Sequence, residues 1–227
     1  MIYLSGCTSA SYEQAIIGLG CGLMLRPGSY AAERVLPFET FAGDNGCCKV
    51  VGGVPCFDPA WTCAKWARML GAIHDLRNVY DIFDPCRCLF AVVPDWPCNH
   101  RSTLKMFAHY APILRSFRLP LAFAIQDGAT VDTVPWSAFD VAFLAGSTSW
   151  KCGEEAYSFA IEARNRGKWV HMGRVNSWDR LDWASRIGCD SSDGTFMKHG
   201  KPDEMVARLK VWLDNNSPRL TQQGAQA

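Results

Sequence analysis

The sequence predicts an α/β protein: a single (β/α)8 TIM-like barrel with its active site at the C-terminal ends of the strands. Three observations predict it. Eight short apolar runs recur along the chain, separated by longer segments with helical periodicity. The 227 residues come close to the roughly 250 of a typical barrel of this kind. Most of the runs are followed by short polar segments rich in Asp, Gln, Ser and Gly.

The expected strands span residues 2–4, 22–25, 37–42, 89–93, 121–125, 141–145, 169–172 and 187–190. Their nearly continuous apolar character fits parallel strands whose outer face is covered by helices. An open doubly wound sheet would use the same units, and the count of eight favours closure. Helices are expected over 60–76, 101–117, 154–166, 178–186 and 203–213. Their ends carry the usual signals. Ser177 offers an N-cap before Trp178, and Gly188 stands just past that helix. Gly167 closes a helix whose last turn holds Arg164 and Arg166. Pro202 opens the last helix, with Asp203 and Glu204 in its first turn. No linker composition divides the chain, so residues 1–214 read as one barrel domain and 215–227 as a flexible tail.

Hydrophobic residues make up 48% and charged residues 20%, enough to bury a core. Lys+Arg number 23 against 22 Asp+Glu, a formal charge of +1, which excludes a strongly basic coat but not a local basic patch. No run approaches the roughly 18–20 apolar residues of a membrane span. The candidate around 15–25 is broken by Gly18, Gly20 and Gly22. The N-terminus lacks a basic segment followed by a long apolar one, and the eleven cysteines are odd in number and irregularly spaced. They read as reduced, small packing residues, which gives a cytoplasmic expectation.

The polar segments after the strands carry the chemistry. Asp44-Asn45-Gly46 follows the third run, Pro94-Asp95 the fourth, and Gln126-Asp127-Gly128 the fifth. Gly146-Ser147-Thr148 follows the sixth, His171-Met172-Gly173-Arg174 ends the seventh, and the last reaches Asp190-Ser191-Ser192-Asp193. Asp-Gly and Asn-Gly are also ordinary turn sequences. In a parallel barrel, however, all these ends open on one face. Asp44, Asp95 and Asp193 come from three strands and can surround a ligand. Carboxylates flanking a glycosidic carbon supply a nucleophile and an acid/base partner.

Taken in this order, the segments resemble the tRNA-guanine transglycosylase superfamily, above all its DNA-modifying branch, the DpdA-type 7-deazaguanine transglycosylases of phages and genomic islands. His171-Met172-Gly173, a helix, then Gly188-Cys189-Asp190-Ser191-Ser192-Asp193 resembles the family segment that ends in the nucleophilic Asp. Asp44-Asn45-Gly46 resembles the segment carrying the general base, and Ile125-Gln126-Asp127-Gly128 the segment with a base-reading Gln. Ala145-Gly146-Ser147 resembles the family's Gly-Gly-Leu loop, altered here to Gly-Ser-Thr. The likeness spans residues 37–200.

What the resemblance implies is a pentosyltransferase that replaces guanine in DNA with a 7-deazaguanine such as preQ0, through a covalent Asp-glycosyl intermediate. Asp193 would be the nucleophile and Asp44 the base. Asp95, Gln126, Gly146, Ser147, His171, Met172 and Gly173 would hold the substrate, with Asp190 behind them. The family's tRNA enzymes carry a zinc site of cysteines beyond the nucleophile. No cysteine follows Cys189 here, so the resemblance implies no metal or other cofactor, and DNA rather than tRNA as partner. A homodimer is left open.

Cys86, Cys88, Cys98 and His100 form a metal-like cluster in sequence, but the intervening strand would place them at opposite ends of the barrel. Two other functions remain open: a nucleoside or deoxynucleotide base hydrolase using the same carboxylates, and a non-catalytic nucleic-acid-binding partner subunit.

Overall fold

The computed structural model describes residues 1–6, 10–28, 35, 37–79 and 88–216. Eight parallel strands close a barrel: β1 (Ile2–Ser5), β2 (Gly22–Leu25), β3 (Phe41–Gly43), β6 (Cys88–Val92), β7 (Leu121–Ile125), β8 (Val141–Leu144), β9 (Trp169–Met172) and β10 (Ser191–Gly194). Each pairs with the next in that order, and β10 returns to β1 with Leu4 opposite Asp193. Between β3 and β6 the chain makes a two-stranded antiparallel hairpin, β4 (Cys48–Val51) and β5 (Val54–Phe57). The helices are α1 (Ala10–Ile17), α2 (Cys63–Val79), α3 (His100–Ser116), α4 (Thr148–Lys151), α5 (Glu154–Asn165), α6 (Trp178–Arg186) and α7 (Pro202–Asn216). The barrel expected from the sequence is the fold observed. No helix among the described residues is long and apolar enough to cross a membrane.

Alternation along each strand sorts the side chains into two apolar clusters. Leu4, Met24, Ala42, Phe90, Val92, Ala122, Ala124, Val141 and Phe143 form the smaller cluster, which fills the barrel interior. Their sequence neighbours Tyr3, Leu23, Leu25, Phe123, Ile125, Leu144, Val170 and Met172 face outward. There they pack against Leu70 and Ile73 of α2, Leu114 of α3, Phe159 of α5, Leu181 of α6 and Leu209 of α7. Each such fully buried aliphatic side chain stabilises the fold by about 1.5–3 kcal/mol.

The eighth strand is displaced from its expected position at 187–190. Ile187 is the C-cap of α6, and Gly188 takes φ +84°. Its N–H returns to Ser185 O at 3.0 Å while Cys189 N–H reaches Ala184 O, closing the helix before any strand can start. The strand is the polar run Ser-Ser-Asp-Gly instead, held from both sides by β1 and β9. Pairing here overrides a weak strand propensity. The third strand is also shorter than expected, because residues 37–40 precede it as a turn. Helix α7 runs through Asn216, two residues beyond the expected domain edge at 214; residues 217–227 lie outside the described residues, as does Cys86.

Candidate functional site

The inward rows of the barrel are apolar until their upper ends, save in β9 and β10, where His171 and Ser191 also face inward. Two residues beyond Ala42 stands Asp44, whose N–H still bonds Leu25 O at 2.8 Å and so keeps the strand alternation. Two beyond Ala124 stands Gln126, and two beyond Ser191 stands Asp193. These ends open into one cavity of about 350 Å³, lined by Asp44, Asn45, Asp95, Gln126, Arg174 and Asp193 among others. The four sequence-predicted residues Asp44, Asp95, Gln126 and Asp193 thus meet in one place.

Asp193 is held from behind. Its Oδ1 accepts from His171 Nε2 at 3.1 Å and from the Arg174 backbone N–H at 3.2 Å. His171 is fully buried, packed between Phe90 and Phe143, and its Nδ1 lies 2.9 Å from Ser191 Oγ. Trp169 Nε1, which can only donate, points at the same Ser191 Oγ at 2.8 Å. The Ser191 hydroxyl accepts from Trp169, which leaves its own proton for Nδ1 and puts the imidazole proton on Nε2, toward Asp193. Trp169, His171, Ser191 and Asp193 therefore form one inward chain that fixes the carboxylate. Gly173 leaves room for it: a Cβ there would lie 2.5 Å from the Phe143 ring and 3.4 Å from Asp193 Oδ1.

A second chain crosses the cavity floor. Asn45 Nδ2 donates to Asp95 Oδ1 at 2.8 Å and to Val93 O at 2.9 Å. Gln126 Nε2 donates to Asp95 Oδ2, while Cys98 N–H donates to Gln126 Oε1 at 2.9 Å. Asp95 is 5% exposed, and burial pushes its carboxyl up to about 6. The Asn45 and Gln126 amides and the Arg174 charge oppose that rise, while Asp44 adds to it.

Asp44, at the mouth, faces Arg26 across 3.4 Å. Burial raises its carboxyl above the usual range; Arg26 opposes this and the charge of Asp193 adds to it. On the far wall Arg174 adopts φ +56° and donates through Nη2 to the Ala145 and Gly146 carbonyls. Behind it Lys151, 2% exposed, donates Nζ to Gly173 O. Burial lowers its ammonium from 10.5 to about 7; Arg174 and Arg180 add to the fall, and Asp193 opposes it.

The other expected residues stand elsewhere. Gly146 offers its carbonyl to Arg174, and Ser147 caps α4 while bonding Asp127 through both N–H and Oγ. Neither lines the cavity. Met172 is odd in the alternation and packs outward in the helix-facing core. Asp190 lies at the opposite end of β10, where its Oδ2 takes the Val170 N–H at 2.8 Å and ties the barrel floor. Asn45, Arg174, Lys151 and the Trp169–Ser191 link were not singled out as site residues from sequence. Strand parity could have found the last, because 169, 171, 173, 191 and 193 share one inward row. Strand β6 separates Cys88 from Cys98 and His100, and no three His, Cys, Asp or Glu side chains among the described residues gather as a metal would require.

No family model and no curated protein matches the chain. Among solved structures, one described as "Native KDPGal structure" is similar over 95% of this chain and 92% of that one, with a TM-score of 0.51 and 10% sequence identity. At that identity the likeness shows the barrel fold alone.

Proposed function

We propose that the protein is an enzyme, a base-exchange transglycosylase that replaces guanine in DNA with a 7-deazaguanine derivative through a covalent ester on Asp193. The observation that carries the reading is the pairing of two unlike carboxylates in one cavity. Asp193 has both its donors on Oδ1, neither on Oδ2. Asp44 is pushed toward its protonated form at the mouth.

In the first half-reaction Asp193 Oδ2 attacks C1′ and the C1′–N9 bond breaks. The departing electron pair goes to guanine, which takes its proton from the Asp44 carboxyl. In the second half Asp44, now a carboxylate, removes the proton from N9 of the incoming deazaguanine. That nitrogen attacks C1′ and releases Asp193, and Asp44 is protonated again. Asn45 holds the floor in place with both its amide protons, and the second Gln126 Nε2 proton and the remaining lone pairs of Asp95 supply one donor and acceptors toward a guanine edge. His171, which does not line the cavity, and the backbone N–H of Arg174 hold the nucleophile.

The test offers labelled guanine to DNA and to tRNA, with wild type and Asp193→Ala side by side. Label entering DNA only, and lost in the variant, supports the reading. Label entering tRNA moves the substrate and keeps the mechanism. Guanine released without incorporation makes the protein a base hydrolase. Binding with neither exchange nor release makes it a non-catalytic partner subunit and sinks the proposal.

A further inference from the structure

The β4–β5 hairpin carries a feature that the proposed chemistry leaves unused. Its base is anchored: Asp58 N–H donates to Cys47 O at 2.8 Å, and Phe57 stacks on Trp96 with ring centroids 4.7 Å apart. Phe57 also packs edge-on against Trp61. Its tip is bare. Val50, Val51 and Val54 are 54%, 57% and 64% exposed around Gly52 and Gly53, which take φ +56° and +83°. Val51 pairs with Val54 across that two-residue turn, and none of the three valines belongs to either apolar cluster. A tight turn with two left-handed glycines brings the two strands together and leaves three β-branched side chains exposed at one tip.

The hairpin stands on the rim of the cavity, since Cys48, Lys49 and Val50 line it. A second hollow, of about 570 Å³, adjoins the first and shares Gly6, Arg26, Asp58 and Thr195 with it. The cations lining it are Arg26, Lys65 and Lys198, against the one acid Asp58. An apolar finger and a basic trough thus flank one cavity. A duplex presents the complement: an apolar base stack, an anionic backbone and a single base to be withdrawn.

We propose that the tip at residues 50–54 is a wedge. It enters the base stack of duplex DNA in place of the nucleotide drawn into the cavity, while the phosphodiester backbone follows Arg26, Lys65 and Lys198. Inserted apolar side chains offset the loss of stacking that extrusion causes, and the cations replace condensed counterions along the backbone. This inference rests on the base-exchange reading.

The test uses the full chain with Val51→Ser/Val54→Ser, two positions that do not line the cavity. Guanine exchange is measured on single-stranded and duplex oligonucleotides of one sequence. Separately, 2-aminopurine beside the target guanine reports unstacking of the duplex. The variant should exchange into the single strand within about twofold of wild type and lose about tenfold or more on the duplex, with the 2-aminopurine signal lost. Val51→Leu/Val54→Leu should keep both. Equal loss on both substrates, no loss on the duplex, or a wild type that leaves 2-aminopurine dark overturns the wedge. So does a wild-type dimer that the serine variant splits, which would make the tip a contact between copies. Wild type that raises 2-aminopurine fluorescence yet exchanges into no nucleic acid leaves the wedge standing and removes the base-exchange reading instead.

Discussion

Replacing Lys151 by methionine isolates the cost of burying an ammonium beside the site. In the fold this group is lowered from 10.5 to about 7, and it is 2% exposed. Between pH 7 and 10.5 the unfolded chain therefore binds more protons than the folded one, so stability rises with pH across that window. The gap of 10.5 − 7 = 3.5, at roughly 1.36 kcal/mol per pH unit, amounts to about 5 kcal/mol withheld from the fold below pH 7. Methionine fills similar volume but leaves the Gly173 carbonyl without its donor, a loss of about 1–3 kcal/mol. The variant should then be about 2–4 kcal/mol more stable than wild type at pH 6, with the advantage shrinking toward zero by pH 9. Urea unfolding at pH 6, 7, 8 and 9 measures this directly. A difference that does not change with pH, or that grows as pH rises, would refute the reasoning.

Two more outcomes follow from the same geometry. His171→Leu removes the Nε2 donor and the ring packed between Phe90 and Phe143 at a position that does not line the cavity; base exchange should fall about 100-fold in kcat with KM nearly unchanged, a split that steady-state kinetics reads. Asp95 is raised from 3.8 to about 6, so the folded state binds the extra proton and wild-type stability declines between those values as pH rises, by about 3 kcal/mol. Asp95→Asn should remove that share of the decline and leave the part due to Asp44, and it should also weaken the fold at pH 5, because an amide NH2 then meets the Asn45 or Gln126 donor; denaturant titrations of both proteins at pH 4, 5, 6 and 7 test both statements.

The barrel was readable because its strands are short, apolar and separated by capped helices, and Ser177 caps α6 as its sequence position suggests. The last strand was not, because Ile187 looks like a strand residue while Ser191-Ser192-Asp193-Gly194 looks like a loop. Only the two neighbouring strands make it one. The hairpin had a local signal, the Gly52-Gly53 pair between valines, which is a two-residue turn sequence. Asp44, Gln126 and Asp193 converge because each continues an inward row, whereas Asp95, on the outward parity of Ala91 and Val93, is brought in by the loop after Pro94 and held by Asn45 and Gln126. Met172 does not join them, because a one-residue step along a strand points the side chain at the helices. Lys151 was invisible to pattern reading. It stands in a four-residue helix, and its burial depends on Gly173, twenty-two residues away in sequence.

The proposed nucleophile lies on the seam where the barrel closes. Leu4 pairs with Asp193, Ile2 N–H reaches Asp190 O, and the Tyr3 hydroxyl holds the Gly194 carbonyl across 191 positions of sequence. That hydrogen bond closes one of the longest loops among the described residues, and contacts so far apart in sequence cost the most loop-closure entropy to form. The carboxylate is therefore placed only once the two ends of the barrel have met. Peeling β1 away would silence the site while most of the remaining strands stayed paired. Loss of activity should precede loss of helical signal in any gradual denaturation, so that catalysis reports on the integrity of one strand junction rather than on the bulk of the fold.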